Sequence, residues 1–281
     1  VERAKVSYNK SIYGLLIPNE VEWMFKGFYT AAAGMLAQQR RTDMLTNNMA
    51  NANTPGFKED QSTIRSFPEM LLQRMNEEKN GGPQIGSLST GVYMQEAIPR
   101  FIQGDIRETG NKTDMALIDF NKGAVFFTVQ DPSGQLRYTR NGNFTLDAEG
   151  YLTAGNGQYI LDNNNKPIQL TSDQFTVSDT GLITGANGEQ RQLGIGFSDN
   201  PDLQLIKEGN GLLRTENGTP LANAAGQFKL QQGYLEQSNV DISKAMTDML
   251  TAYRSFEANQ KILQAYDRSM DKVANEVGKI G

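Results

Sequence analysis

The two ends of this chain carry one hydrophobic pattern and the middle carries another. That arrangement confines the fold to helical arms flanking a β body. Near the N-terminus Phe25, Phe28, Ala32, Met35, Gln39, Thr42, Leu45 and Met49 recur at spacings of three and four. At the C-terminus Ile242, Met246, Met249, Tyr253, Phe256, Gln260, Leu263, Met270, Val273, Val277 and Ile280 continue the pattern, with Tyr266 or Asp267 at the intervening position. A stripe this narrow is what a coiled-coil helix presents to a partner helix. One such stripe would be an ordinary core face. Two, at opposite ends of a β body, favour packing between subunits of an assembly.

Between the arms the punctuation changes. Residues 1–23 carry no stripe and read as an extension ahead of Met24-Phe25-Lys26-Gly27, a natural start. The N-terminal helix is expected over about 25–51, within a segment 24–58 that closes on Asn47, Asn48, Asn51, Asn53 and Thr54-Pro55-Gly56. Proline disfavours helical geometry at Thr54, and Pro-Gly suits the centre of a type II turn. Residues 59–84 read as a connector with a short amphipathic helix from Phe67 to Met75. Residues 85–237 read as all-β and antiparallel, with Asn-Gly at 80–81, 141–142, 156–157, 187–188, 210–211 and 217–218 as type I′ corners. Strand-like runs between the corners include Ala124 to Val129, Leu136 to Thr139, Tyr159 to Leu161 and Phe228 to Leu230. Residues 238–281 form the second arm, where Asp241 can cap a helix that meets no Gly or Pro before Gly278. Extended at the helical rise, that arm would be roughly 60 Å long, longer than the body could cover.

Composition removes most chemistry. The 281 residues include no cysteine and no histidine, so disulfides, thiolate nucleophiles, Ser-His-Asp triads and the usual zinc ligands are excluded. No bound metal or organic cofactor is expected. The Asp162-Asn163-Asn164-Asn165-Lys166-Pro167 stretch fails as a calcium loop, with Lys fifth and Pro where Gly is needed. Gly155-Asn156-Gly157 and Gly194-Ile195-Gly196 lack the third glycine and following helix of a dinucleotide loop. Asp147 and Glu149 could be imagined as a glycosidase pair, but acidic turn residues are commonplace. The formal charge is −5, and residues 59–239 hold 14 basic against 22 acidic groups. An acidic body argues against nucleic acid. No apolar run of transmembrane length exists, so no membrane insertion is expected. The stretch Ile12 to Pro18 is too short and polar-flanked for a cleaved signal peptide.

A family resemblance sharpens this reading. Leu45-Thr46-Asn47-Asn48-Met49-Ala50-Asn51-Ala52-Asn53-Thr54-Pro55-Gly56-Phe57-Lys58 resembles the N-terminal signature of bacterial flagellar rod and hook proteins. Leu235-Glu236-Gln237-Ser238-Asn239-Val240-Asp241 and Tyr253-Arg254-Ser255-Phe256-Glu257-Ala258-Asn259-Gln260-Lys261 are similar to the C-terminal signature. Tyr138-Thr139-Arg140-Asn141-Gly142-Asn143-Phe144, Gly150-Tyr151-Leu152-Thr153 and the run Thr113 to Val129 resemble the family's β domain. The resemblance covers roughly residues 24–281. It departs at Asp119 to Lys122, where the family is usually Gly-rich, and in the 23-residue prefix. A single β body without a large insertion looks more like a rod than a hook protein. Met24 to Met35 and Ser66 to Leu72 look most like the paired rod-type proteins of Gram-positive flagella.

The resemblance implies a non-enzymatic subunit, exported unfolded through the flagellar type III apparatus and located in the basal body outside the cytoplasmic membrane. Such a subunit would polymerise with itself and other axial proteins into a torque-transmitting helical tube needed for motility. The expected fold is a mainly β body with α-helical termini, those termini forming a coiled-coil-like domain. The expected assembly interface comprises Phe28, Met35, Leu45, Asn47, Asn48, Met49, Asn51 and Asn53 on one arm. On the other arm it comprises Ser238, Asn239, Met246, Met249, Tyr253, Phe256, Asn259, Leu263 and Met270. Two other readings stand beside it: a hook or other axial protein, and a secreted β-domain glycan binder or carboxylate-dependent hydrolase. The last predicts a monomer with an aromatic-lined cleft and its helices folded onto the body. Residues 1–23 are expected to be dispensable.

Overall fold

The computed structural model describes residues 19–68, 70–73, 84–88, 91–120, 122–155 and 157–277. It is mainly β with helices at both ends. Helix α1 runs Asn19–Ala50, α2 is the single turn Pro201–Gln204, and α3 runs Ile242–Val277. Helix α1 thus begins five residues ahead of Met24, earlier than its stripe suggested. Asp241 caps α3 as expected, its Oδ1 accepting the Lys244 N–H at 3.1 Å.

The chain divides into two compact units. The first draws on residues 1–43, 62–96 and 249–281. Within it α1 and α3 approach at glycines. A Cβ on Gly34 would lie 3.0 Å from Asn259 Nδ2, and one on Gly27 would collide with the Tyr266 hydroxyl. Seven residues onward on α1 is thus seven back on α3, so the helices run antiparallel here with a heptad-like step. A hairpin of Ile64–Ser66 with Val92–Met94 lies on α1, where a Cβ on Gly91 would sit 3.2 Å from that of Ala33. The expected connector helix from Phe67 to Met75 is not present as such: Met70–Gln73 is a strand paired antiparallel with Gln84–Leu88. An apolar run as short as Met70-Leu71-Leu72 fits either period, and the pairing partner decided.

The second unit draws on residues 44–61 and 97–248. Its axis is the strand Ala124–Gln130, buried almost throughout. One edge pairs with Leu136–Thr139. The other is shared by Ile195–Ser198 and Tyr159–Ile160. Side chains alternate across a strand. Val125, Phe127 and Val129 therefore join one core with Phe144, Leu152 and Ile160, while Ala124 and Phe126 join another with Tyr138, Leu205 and Leu213. A strand covered on both faces favours apolar residues at successive positions, which explains the Ala-Val-Phe-Phe run ahead of the buried Thr128. The expected antiparallel topology is what the unit has: Met115–Asp119 pairs with Phe228–Gln232, and Ile106–Glu108 with Tyr234–Glu236.

The turns correct one expectation. Among the described residues, Asn210 and Gly211 are the one Asn-Gly pair that both take positive φ, at 64° and 73°, as a type I′ corner needs. The prevailing device is a longer turn whose fourth residue is left-handed. It donates to the first residue's carbonyl, and that first residue in turn donates to the fifth. Gly134, Gly150, Gly157, Gly181, Gly188 and Asn165 all occupy the fourth position. Asp131, Asp147 and Asp162 open three of these turns, each with Oδ1 accepting two backbone N–H groups of its own loop. Asn141-Gly142 is no corner either: Gly142 has ordinary φ, and its missing Cβ leaves room for the Met115 carbonyl. The corners at 80–81 and at Asn156 lie outside the described residues.

Candidate functional site

The signature residues 45–58 and 235–241 meet the β strands within the second unit. Helix α1 ends in a self-bonded knot, with Asn51 Nδ2 donating to the Asn47 carbonyl at 3.0 Å and Thr54 Oγ1 to Asn51 Oδ1 at 3.2 Å. The Phe57 N–H then closes on the Thr54 carbonyl across Pro55-Gly56, with Gly56 at φ 69°, consistent with the expected type II turn. Only glycine fits there, since a Cβ would lie 2.5 Å from the Arg140 carbonyl oxygen and the Asn141 nitrogen. Asn48, fully buried, holds Asp60 in both directions, accepting its N–H at 3.0 Å and donating to its carbonyl at 2.9 Å. Asn239 does the same across the chain ends. It accepts the Glu59 N–H at 2.7 Å and donates to the carbonyls of Arg100 and Ile102.

Beneath this knot sit four charges. Lys58 Nζ contacts Glu236 Oε1 at 2.5 Å and donates to the Ile102 carbonyl at 2.8 Å. Arg140 Nε pairs with Glu236 Oε2, while its two terminal nitrogens form a fork on Asp119 at 2.8 and 2.9 Å and also reach the carbonyls of Val125 and Leu117. Gly104 N–H completes the Glu236 carboxylate at 2.8 Å. Side-chain exposure is 1% for Glu236, 2% for Arg140, 6% for Lys58 and 14% for Asp119. Burial alone would raise the Glu236 carboxyl, but Arg140 and Lys58 together hold it below its ordinary value. Burial lowers the Lys58 ammonium by more than Glu236 restores. Nearby, Lys207 Nζ pairs with Asp60 at 3.0 Å and stands 3.8 Å above the Phe57 ring.

Of the residues expected at an assembly interface, Leu45 and Asn48 are buried, and Asn47, Asn53, Met246 and Tyr253 are exposed. Phe28, Met35, Met49, Asn51, Ser238, Asn239, Met249, Phe256, Asn259, Leu263 and Met270 are half-buried. Asn48, Asn51 and Asn239 make their hydrogen bonds inside the chain. Lys58, Asp119, Arg140 and Glu236 were missed as a site. Lys58 and Glu236 stand within the two terminal signatures and Arg140 and Asp119 within the stretches that resemble the β domain, but no local pattern marks a charge as buried.

The β body also has a concave surface lined by Asp147, Glu149, Asp173 and Glu189, with no aromatic side chain among its lining residues. Asp147 is occupied by its own turn, and Glu189 accepts from Thr171. Nothing here pairs an acid with a free base.

Residues 28–58 match the family described as flagella basal body rod protein, residues 122–185 the flagellar hook protein FlgE/F/G D1 domain, and residues 231–276 the flagellar basal body rod FlgEFG protein C-terminal region. The chain is 46% identical over 274 residues to the flagellar hook-basal body complex protein FlhO of Bacillus subtilis, covering 92% of this chain and 100% of that protein. It is 31% identical over 273 residues to the flagellar basal-body rod protein FlgG of Borreliella burgdorferi, covering 90% and 99%. Identity to FlgG of Bacillus subtilis is 30% over 274 residues, with the same coverage. The chain belongs to the flagellar basal-body rod protein family, of the Gram-positive type.

Proposed function

We propose that this chain is a structural, non-catalytic subunit of the flagellar basal-body rod, assembling through large apolar side chains of α1 and α3 that its own fold leaves uncovered. Support comes from how the two helices use their faces. The two helices approach each other where Gly27 and Gly34 face Tyr266 and Asn259, and the stripe residues Phe28, Met35, Met249, Phe256 and Leu263 are only half-buried. Met246 is 51% exposed and Tyr253 53%. Ile242 and Leu250 are exposed beside them, as are Tyr29 and Leu36 on α1. A coiled-coil-like pair within each subunit would then offer Ile242, Met246 and Tyr253 of the stripe, with Tyr29, Leu36 and Leu250 beside the stripes, to neighbouring copies and to other axial proteins. Each large apolar side chain covered in the polymer contributes about 1.5–3 kcal/mol, repeated for every subunit. The acidic body would lie outside the tube and limit lateral approach. Delivery is unfolded, through the flagellar type III export apparatus, to a site beyond the cytoplasmic membrane.

Tyr253→Asp and Met246→Asp test this. Both residues are exposed, so the body should keep its circular dichroism and cooperative unfolding while polymers vanish from electron micrographs and swimming is lost. Normal polymers from both variants would sink the proposal. The glycan-binding alternative predicts an aromatic-lined cleft, which the concave surface lacks. Glycan pulldown with a sizing run would revive it only if the chain stayed monomeric and bound glycan.

A further inference from the structure

We infer that Lys58, Arg140, Asp119 and Glu236 form a two-key lock, in which the N-terminal and C-terminal segments seat on the β body together or not at all. Outside the two terminal segments, 54–60 and 235–240, the β body contributes Arg140 and Asp119, a neutral forked pair at 2.8 and 2.9 Å; Glu236 ends the strand that pairs with Ile106–Glu108. Seating the C-terminal segment by itself would place Glu236, 1% exposed, in that pocket and leave one uncompensated negative charge. Seating the N-terminal segment by itself would bring Lys58, 6% exposed, and leave one uncompensated positive charge. Only both together restore neutrality. An unpaired buried charge is among the most unfavourable arrangements a fold can hold, so either half-seated state is strongly disfavoured.

Backbone geometry supports the coupling independently of charge. The Gly56 N–H donates to the Glu236 carbonyl at 2.9 Å, and the Asn239 N–H to the Phe57 carbonyl at 3.4 Å. Each terminal segment therefore supplies hydrogen bonds that the other completes. The consequence rests on the rod-subunit reading: α1 leads into one seated segment and α3 leaves the other, so a chain with one end unplaced offers neither helix base to a polymer.

The test uses the full-length chain as Lys58→Met, Glu236→Gln and the double variant, with hydrogen exchange followed by mass spectrometry on unpolymerised protein. Each single substitution should speed exchange in both segments, 54–60 and 235–240, on the order of a hundredfold, while the strand Ala124–Gln130 stays protected. The double substitution removes one charge of each sign and should recover most of that protection. Losses confined to the substituted segment, a double variant worse than either single, or the central strand opening in step with the ends would each overturn the lock. Electron microscopy separates the two readings. Polymers lost in the single variants and regained in the double support the consequence. A wild-type chain that never polymerises would count against the rod reading while leaving the exchange result intact.

Discussion

At the scale of single residues, placement decides consequence more than residue type does. The Glu236 carboxyl sits below its ordinary value because Arg140 and Lys58 outweigh its burial. A depressed carboxylate stabilises the fold above its unfolded pKa, about 4.3, and that contribution is lost as pH falls through the folded value. Urea unfolding should therefore weaken between pH 7 and pH 3, and more steeply in the native chain than in Glu236→Gln. At pH 7 the same substitution should cost about 3–5 kcal/mol in the seating of segments 54–60 and 235–240, with a smaller effect on unfolding of the sheet core, because Lys58 and Arg140 are left buried with one anion too few. Gly142→Ala is expected to be destabilising for a different reason. Its new methyl would meet the Met115 carbonyl, which is backbone and cannot swing aside, at a cost of about 1–3 kcal/mol. Asn165, at φ 58°, should tolerate glycine, and Asn165→Gly should leave the thermal midpoint unchanged or slightly raised.

At the scale of elements, the α1–α3 approach separates two glycines that look alike in the sequence. Both sit in a helix interior, where alanine is favoured by roughly 1 kcal/mol. The methyl of Gly34→Ala would meet the end of the Asn259 side chain at 3.0 Å, an amide that can rotate away. That variant should hold or raise the melting temperature of the helical signal at 222 nm. The methyl of Gly27→Ala would strike the Tyr266 hydroxyl end and ring, so the same measurement should show a loss. Equal effects at the two positions would contradict the heptad-like antiparallel step. In the β body, the left-handed fourth position of each turn explains why glycine recurs there, and why Asp or Ser often opens the loop.

At the scale of the whole molecule, the chain ends are parts of the body as well as arms. Removing residues 238–281 deletes Asn239, which ties Glu59 to Arg100 and Ile102. The truncated chain should keep its sheet core, cooperative unfolding and β-type circular dichroism. Its 54–60 segment should become protease-sensitive, and it should not support swimming. Cleavage at 54–60 no faster than in the full chain would show that Asn239 is not needed to seat the N-terminal segment.

The sequence by itself determined the helical ends, the antiparallel β middle, the Asp241 cap, the Pro55-Gly56 turn and the family. Each is written in a local period, a local backbone restriction or a long contiguous motif. Met70-Leu71-Leu72 was legible as apolar but not as strand, because its pairing partner lies a dozen and more residues away. The stripe marked which residues of α3 are apolar, and only burial in the folded chain shows which of them it covers, with Ala245 and Ala252 buried while Met246 and Tyr253 stay exposed. Lys58 and Glu236 stood in plain view within the two signatures, yet 178 residues separate them. Only the tertiary structure could bring them to one carboxylate, because buried charge is a property of what surrounds a residue in space, and no neighbour along the chain reports it.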